Sequence, residues 1–257
     1  MACVLAVACA GATPRGDTSD IYRDAPFARG ESLVYRIVDA EAAVIGHGTL
    51  EVTELPSGLL ELRQAYVEAD PPAGAPPVTD TVTVVVDPST FRPRSGEREI
   101  LRREADGTPS TERYDWTYVA EDEEWQITST RGDAEGERDE RTLGLRDHHY
   151  DNESSLWLWR SIDFPSAASL EAGDASDADS AFEAFYVSVN PIDRSQQTVN
   201  LRLPQTETVS VPAGEFEAYR LLLRSGRAVR TAWIEVAAPH RVLRWDNGES
   251  VLELLAP

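Results

Sequence analysis

Residues 79–87 read Thr-Asp-Thr-Val-Thr-Val-Val-Val-Asp, and this run predicts a β-strand over Asp80–Asp87. β-Branched side chains are enriched in strands because they are stiff about χ1 and pack well on a pleated surface. Since nearly every residue of the run is of this kind, we expect a central strand. The proline-rich stretch 71–77 before it predicts an exposed loop.

Alternation of apolar and polar residues with a period of two continues on both sides of this run and is typical of half-buried strands. The other predicted strands are Ser32–Val38, Val44–Glu54, Leu60–Ala69, Glu97–Ala105, Thr111–Ala120, Trp125–Thr130, Arg138–Leu145, Phe182–Asn190, Thr198–Leu203, Thr206–Val211, Glu215–Arg224, Ala228–Val236, Arg241–Asp246 and Ser250–Leu255. The pattern lacks the strand–helix alternation of nucleotide-binding α/β folds. It predicts a mainly β protein, built as a single large curved antiparallel sheet or half-open barrel with one main helix.

The one main helix is predicted over Asn152–Ile162. Asp151 is a suitable N-cap, and Pro165 prevents the helix from continuing. The following residues 166–180 are small and acidic and predict a loop.

Apolar side chains surround this helix on nearly all sides. Trp157 and Trp159 are two residues apart, which places them about 200° apart around the axis, and Leu156 and Leu158 fill the remaining arcs. One side of such a helix can pack on the sheet, while the other needs a second apolar partner. We therefore take these four residues as candidates for lining an apolar ligand site; the alternative is a helix fully enclosed in a solid core.

The composition excludes several classes of function. The 257 residues include 45 acidic and 24 basic residues, so the formal net charge is −21. This charge disfavours binding to DNA, RNA or anionic lipid surfaces, and no cluster of arginines stands out against it. Every basic residue is arginine, which excludes Schiff-base and P-loop lysine chemistry.

Sequence motifs for catalysis or metal binding are missing. The adjacent His148 and His149 would point to opposite faces of a strand, so they are poor partners for one metal ion. The acidic loop 171–179 matches no known calcium loop, and the Arg-Gly-Asp triplet 131–133 fits a turn between charged strands. We predict no catalytic residue, no metal site and no cofactor.

The N-terminal residues resemble the end of a bacterial lipoprotein signal. Residues 1–9 are small and apolar and end in Ala-Val-Ala-Cys9, a truncated signal with a lipobox, so Cys9 is the predicted lipidation site. We expect the full signal to begin upstream of Met1. A cleaved signal without lipid and a chance apolar N-terminus are the alternatives. Residues 10–29 predict a flexible tether, and 30–257 a single β-rich domain.

A tight turn is predicted between two strands at Pro212-Ala213-Gly214, where Pro212 fixes φ and Gly214 can supply a positive φ. Beyond it, Phe216 and Tyr219 are separated by an odd number of residues, so they cannot share a face of a regular strand. Either a bulge lies between them or both faces of the strand are buried.

The turn belongs to a wider resemblance. The stretches that carry it are 30–37 (GESLVYRI), 150–160 (YDNESSLWLWR), 208–220 (TVSVPAGEFEAYR), 230–234 (RTAWI) and 239–245 (PHRVLRW). Over about residues 30–257 the chain resembles a family of bacterial envelope β-proteins of unknown activity, marked by Val-Pro-Ala-Gly-x-Phe. That family is similar in architecture to the LolA/LolB lipoprotein carriers. The resemblance implies an open curved sheet around a hollow, which in those carriers holds acyl chains.

The expected function is that of a non-enzymatic cell-envelope lipoprotein that binds or carries a lipid or another apolar small molecule in a barrel-like hollow. Contact with the membrane is expected through the lipid anchor only, nucleic acid is not an expected partner, and protein partners stay open. One alternative is a structural or partner-binding surface protein with a solid core. The other is an enzyme of unknown class.

Overall fold

A computed structural model describes residues 16–122, 124–132, 138–165 and 182–256. In this part of the chain fifteen strands form one sheet. Their bounds are β1 Ser32–Val38, β2 Val44–Glu54, β3 Leu60–Glu68, β4 Thr79–Val86, β5 Pro93–Arg103, β6 Pro109–Glu121, β7 Glu124–Gly132, β8 Arg138–Gly144, β9 His149–Asp151, β10 Phe182–Asn190, β11 Ser195–Val211, β12 Gly214–Ser225, β13 Ala228–Glu235, β14 Val242–Asp246 and β15 Val251–Ala256.

The sheet is a continuous meander in the order β8-β7-β6-β5-β4-β3-β2-β1-β15-β14-β13-β12-β11-β10-β9. β1 pairs with β15, which joins the first half of the sheet to the second. All neighbours are antiparallel except β9, which runs parallel to β10. The predicted mainly β, curved and half-open architecture is therefore confirmed.

Because neighbouring strands alternate in direction, their turns lie at two opposite ends of the sheet. The end that carries the β10–β11, β12–β13 and β14–β15 turns is named the upper end here. The other, lower end carries the β2–β3, β4–β5, β11–β12 and β13–β14 turns.

The sheet stays open in the described part of the chain, where β8 and β9 are its edge strands, and only side-chain contacts bridge the gap. Arg194, in the β10–β11 turn, donates to Ser129 Oγ at 3.0 Å and to the carboxylate of Asp139 at 2.5 Å. Gln196 Nε2 donates to the carbonyl oxygen of Gly144 at 2.9 Å. These contacts of the β10–β11 hairpin with β7 and β8 are named the seam.

The core lies between the inner face of the curved sheet and a short helical segment. On β4, Val82, Val84 and Val86 are buried and alternate with half-buried neighbours. Burying a valine side chain contributes about 1.5–3 kcal/mol, so the alternation that predicts the strand is also the pattern that holds it against the core.

The predicted strands are confirmed apart from shifts at their ends and two differences. β11 is one strand of 17 residues where two strands were predicted. Its register shifts between Arg202 and Gln205, where Pro204 has no N–H to give to a ladder. β9 was not predicted, because three residues are too few for a periodic pattern.

The predicted helix is shorter and less regular than Asn152–Ile162. A 3₁₀ turn at Asn152–Ser154, the helix α1 at Ser155–Leu158 and a second 3₁₀ turn at Trp159–Ser161 follow one another; residues 152–161 are named the inner helix. Ile162 has an extended backbone and ends it. No helix of the described residues is long and apolar enough to cross a membrane.

Residues 16–29, the described part of the predicted tether, pack against the core. Ile21, Tyr22 and Phe27 are buried. The Arg23 N–H donates to the carbonyl oxygen of Ser161 at 2.9 Å, and the Tyr22 hydroxyl donates to that of Pro88. The segment thereby covers the lower end of the core, because apolar residues at 21, 22 and 27 gain by leaving water.

The Val-Pro-Ala-Gly motif forms the β11–β12 turn, with Val211 opposite Gly214 in register. Gly214 has a φ of +138°, a conformation that L side chains rarely adopt. No register shift occurs between Phe216 and Tyr219. Tyr219 is buried on the inner side and Phe216 is half-buried, so burial on both faces, and not a bulge, resolves their odd spacing.

Candidate ligand-binding cleft

The upper end of the inner helix is fixed to the first half of the sheet by Asp151. Its Oδ1 accepts from the backbone N–H of Glu153 at 2.8 Å, which confirms Asp151 as the cap. Its Oδ2 accepts from Trp116 Nε1 and from the Tyr118 hydroxyl, both at 2.8 Å. Three donors on one carboxylate hold the start of the helix in a single position.

Two acidic groups lie close together at this point. Burial, followed by the nearby charge of Glu153, raises the pKa of Asp151 to about 7, although its hydrogen bonds oppose the shift. Burial also raises the pKa of Glu153, against the opposing charge of Arg98. Arg98 lies 3.3 Å from Glu153 and donates twice to Asp80, at 2.8 and 2.6 Å.

The lower end of the inner helix is fixed by Arg160, whose side chain has no exposed surface. Its guanidinium donates to both carboxylate oxygens of Glu31, at 2.6 and 2.9 Å, and to the carbonyl oxygens of His240 and Pro239. It also lies over the ring of Phe27. This buried cation, with four hydrogen bonds, fixes the lower end of the inner helix to Glu31 before β1 and to the β13–β14 turn.

Trp159 turns towards the second half of the sheet. Its ring centroid lies 4.7 Å from that of Trp245 on β14, and its Nε1 donates to the Tyr186 hydroxyl on β10 at 3.1 Å. Leu156 lies one helical turn before it and lines the same space. Together these side chains form an apolar surface that faces the upper end.

The four predicted ligand-lining residues divide into two pairs. Leu156 and Trp159 line a cleft at the upper end. Trp157 and Leu158 have no exposed surface, belong to the core and are not among the residues that line the cleft. The inner helix therefore separates a filled lower core from an open upper space.

This space, named the upper cleft, has a volume of about 280 Å³ and lies between the inner helix and β10–β15. Its apolar lining residues are Leu156, Trp159, Val199, Leu223, Trp245 and Leu252. Its polar and charged lining residues include Gln64, Asn152, Gln197, Asn247, Glu153, Arg230 and Glu249. Binding sites for small molecules usually measure roughly 300–1,000 Å³, so the cleft fits a small ligand with an apolar and a polar part.

Two of the three larger depressions found in the described part of the chain are weaker candidates because of their charges. One of about 420 Å³ includes Asp80 and Arg98, and one of about 520 Å³ includes Glu99 and Arg113. In both, these charges already pair with each other. A ligand would have to break ion pairs there and would gain little apolar contact, whereas the upper cleft offers buried apolar surface directly.

The histidine pair is divided between two environments. His149 is buried between Tyr118 and Trp125, and burial lowers its pKa to about 4. His148 Nδ1 lies 3.2 Å from the carboxylate of Asp20. Among the described residues no group of three or more potential metal ligands was found. Cys9, the acidic loop 171–179 and Asp133 lie outside the described residues.

Several residues of the cleft were not predicted from the sequence. Tyr186, Trp245 and Arg230 come from three different strands. The alternation along β14 and β13 could show that Trp245 and Arg230 share a face with their strand's buried residues. It could not show that those faces meet the inner helix, because strand order does not follow from a local pattern.

No family model and no curated protein matches the chain. Among solved structures, it is similar to a β-barrel-like protein of a domain of unknown function, DUF1849, from Brucella abortus. The likeness has 11% identity and a TM-score of 0.50, and it covers 89% of this chain and 98% of that one.

Two further solved structures each align over 93% of this chain and 99% of theirs with a TM-score of 0.32. One is a candidate exported protein with a YmcC-like fold from Bacteroides fragilis, at 11% identity, and the other a candidate lipoprotein from Parabacteroides distasonis, at 13%. The Brucella likeness shows the fold alone: this chain has a β-barrel-like fold.

Proposed function

We propose that this protein is a non-enzymatic lipoprotein of the bacterial cell envelope that binds one small amphiphile in the upper cleft. The observation that carries the proposal is the apolar surface of Leu156, Trp159 and Trp245, which lies at the bottom of an open cleft with polar side chains around it. Apolar contact and a few placed polar groups are what small-molecule sites commonly combine.

The size of the cleft narrows the ligand class. About 280 Å³ suits a single short acyl chain or a ring of similar size, and the space below is filled by Trp157 and Leu158. A carrier of lipids with several acyl chains needs a larger hollow. The polar side chains around the cleft favour a ligand whose head group stays hydrated at the upper end.

Intrinsic tryptophan fluorescence tests this proposal, because Trp159 and Trp245 line the cleft. Laurate and dodecylphosphocholine, added below their micellar concentrations, should change the emission saturably. Ala228→Phe fills the cleft from an exposed position on β13 and should weaken binding at least tenfold. Ala120→Phe, also exposed and beside a hairpin turn but outside the cleft, is the matched control and should leave binding unchanged.

Two results of this titration would contradict the proposal. The first is a wild-type protein that responds to neither amphiphile, which supports the alternative of a structural protein with a solid core. The second is an Ala228→Phe variant that binds as tightly as the wild type and the Ala120→Phe control. Melting temperatures measured in parallel show whether either substitution has disturbed the fold.

Localisation in the envelope rests on the N-terminal sequence, with its small residues before Cys9. When the gene is expressed together with the DNA that precedes the codon for Met1, the protein should carry acyl groups and sediment with membranes. Cys9→Ser should move it to the soluble fraction without lowering its melting temperature, because Ile21 is the first buried core residue in the part of the chain that the structure describes. Unmodified wild-type protein in the cytosol would overturn the anchoring.

A further inference from the structure

One stretch of the chain has a charge opposite to that of the whole. Residues 218–234 contain four arginines and no aspartate or glutamate, in a chain with a net charge of −21. They form most of β12 and β13 and the turn between them, at the upper end of the sheet. The upper part of this hairpin, residues 224–230, is named the arginine tip.

Among the described residues, the arginines of the tip have no carboxylate partner. Arg224, Arg227 and Arg230 are exposed, and none forms an ion pair with a carboxylate of the described residues. Among the described residues, the one side-chain hydrogen bond that these three arginines donate runs from Arg224 Nε to the carbonyl oxygen of Gly226, at 3.4 Å. Other arginines are engaged, as Arg98 with Asp80 shows. Three uncompensated guanidinium groups in an acidic protein are available to an anionic partner.

An apolar side chain projects between these charges. Val229 is 59% exposed, more than any other large hydrophobic residue of the described chain, of which the next is Val119 at 45%. In the ladder Val229 lies directly opposite Arg224, so the two side chains share the outer face of the hairpin. The partner surface should therefore offer anionic groups and an apolar layer within the reach of one side chain.

We propose that the arginine tip docks on the surface of a membrane that contains anionic lipids. The guanidinium groups would bind head-group phosphates while Val229 enters the boundary of the acyl region, as interfacial segments do. The upper cleft opens at the same end, so docking would turn it towards the lipid surface. The proposal holds whether or not the cleft binds an amphiphile.

The net charge of the whole chain does not prevent this contact at moderate ionic strength. The Debye length is about 8 Å at physiological salt, whereas a strand of the length of β12 extends for roughly 40 Å. Charges at the lower end are therefore screened. Asp246 and Glu249 on and beside the neighbouring β14–β15 turn reduce the local excess, but they are fewer than the arginines of the tip.

Sedimentation with vesicles tests the proposal, with Cys9→Ser chain in every sample to remove any anchor. The protein should bind vesicles of phosphatidylcholine and phosphatidylglycerol in equal parts, but not vesicles of phosphatidylcholine alone. Each arginine near an anionic surface contributes about 1 kcal/mol, or roughly fivefold in affinity. Arg224→Gln with Arg227→Gln should therefore weaken binding by roughly 25-fold, and Val229→Ser by several-fold.

The matched control is Arg23→Gln at the other end of the molecule, which removes an exposed arginine that forms no ion pair with any residue the structure describes. It should leave vesicle binding unchanged. Salt gives a second signature, because repulsion by the whole chain acts at about 0.01 M, where the Debye length is about 30 Å. Binding should be stronger at about 0.1 M than at about 0.01 M, and weaker again at about 1 M.

Three outcomes overturn the proposal. The first is Cys9→Ser protein, otherwise unchanged, that does not bind the anionic vesicles. The second is a loss of binding in Arg23→Gln equal to that in the double variant. The third is that the protein binds heparin as tightly as the vesicles and that Val229→Ser changes neither affinity. The tip would then be a general anion-binding site and not a membrane-binding one. Arg230 lines the upper cleft and is unchanged in all of these variants, so the results do not depend on any effect on the cleft.

Discussion

Burial shifts the pKa values of two neighbouring side chains, Asp151 and His149, in opposite directions. Burial disfavours the charged form of each, so it raises the pKa of Asp151 to about 7 and lowers the pKa of His149 to about 4. The folded protein thus keeps a proton on Asp151 that the unfolded chain releases. It excludes from His149 a proton that the unfolded chain binds.

Removing either group should therefore change the pH dependence of stability with opposite sign. The raised pKa of Asp151 contributes stability below about pH 4 that is lost as the pH rises to about 7. Relative to Asp151→Asn, the wild type should lose stability over that range. The lowered pKa of His149 contributes stability above about pH 6.5 that is lost as the pH falls to about 4.

Relative to His149→Gln, the wild type should accordingly gain stability from about pH 4 to about pH 6.5. Urea unfolding at a series of pH values measures both differences. Each tenfold change in the acid dissociation constant on folding alters the free energy of unfolding by about 1.4 kcal/mol. Profiles of the two variants that run parallel to that of the wild type would show that neither pKa is displaced in the folded protein.

At the scale of single residues, the sequence predicted those features that depend only on a residue and its neighbours in the chain. Asp151 as a cap follows from its own type and position, and so does the positive φ of Gly214. The donors Trp116 and Tyr118, 35 and 33 residues away from Asp151, could not be identified, because only the folded sheet brings them to the start of the helix.

At the scale of elements, the inner helix divides two roles between two tryptophans. Trp157 fills the core, whereas Trp159 contacts Trp245 and lines the cleft. The sequence placed both on one helix with apolar residues all round, and it left a ligand site and a solid core as alternatives. The structure contains both environments, one on each side of the same helix.

Alanine substitutions should separate these roles. Trp157→Ala should lower the free energy of unfolding by about 3–5 kcal/mol and leave the affinity of the remaining folded protein for laurate unchanged. Trp159→Ala should weaken laurate binding more than it lowers stability. Trp157→Phe and Trp159→Phe are milder versions if the alanine variants do not fold. Denaturant titrations and native mass spectrometry with laurate measure the two effects independently, since mass spectrometry does not need the tryptophan signal.

A loss of laurate binding in the Trp157 variants equal to that in the Trp159 variants would contradict the division.

Strands were more predictable than this helix, because alternation and burial on β4 obey the same period. β9 was missed since its three residues pair in parallel with β10, a contact that no local pattern encodes.

At the scale of the whole molecule, the β class and most of the strands were predictable, but the order of the strands in the sheet was not. The pairing of β1 with β15 and the packing of Ile21 and Phe27 on the core depend on contacts between distant parts of the chain. The packing of residues 16–29 could not be predicted for the same reason: they are polar enough on average to suggest a linker, while their few apolar side chains are buried at the lower end.

The seam has a consequence for how such a fold can vary. In a barrel closed by backbone hydrogen bonds, strand number, tilt and shear are linked, so that gaining or losing one strand alters the entire cylinder. Here β8 meets the β10–β11 hairpin through Arg194 and Gln196. A strand can therefore be inserted or deleted beside β8 at the cost of a few side-chain contacts, and the circumference of the interior can change while the inner helix stays in place.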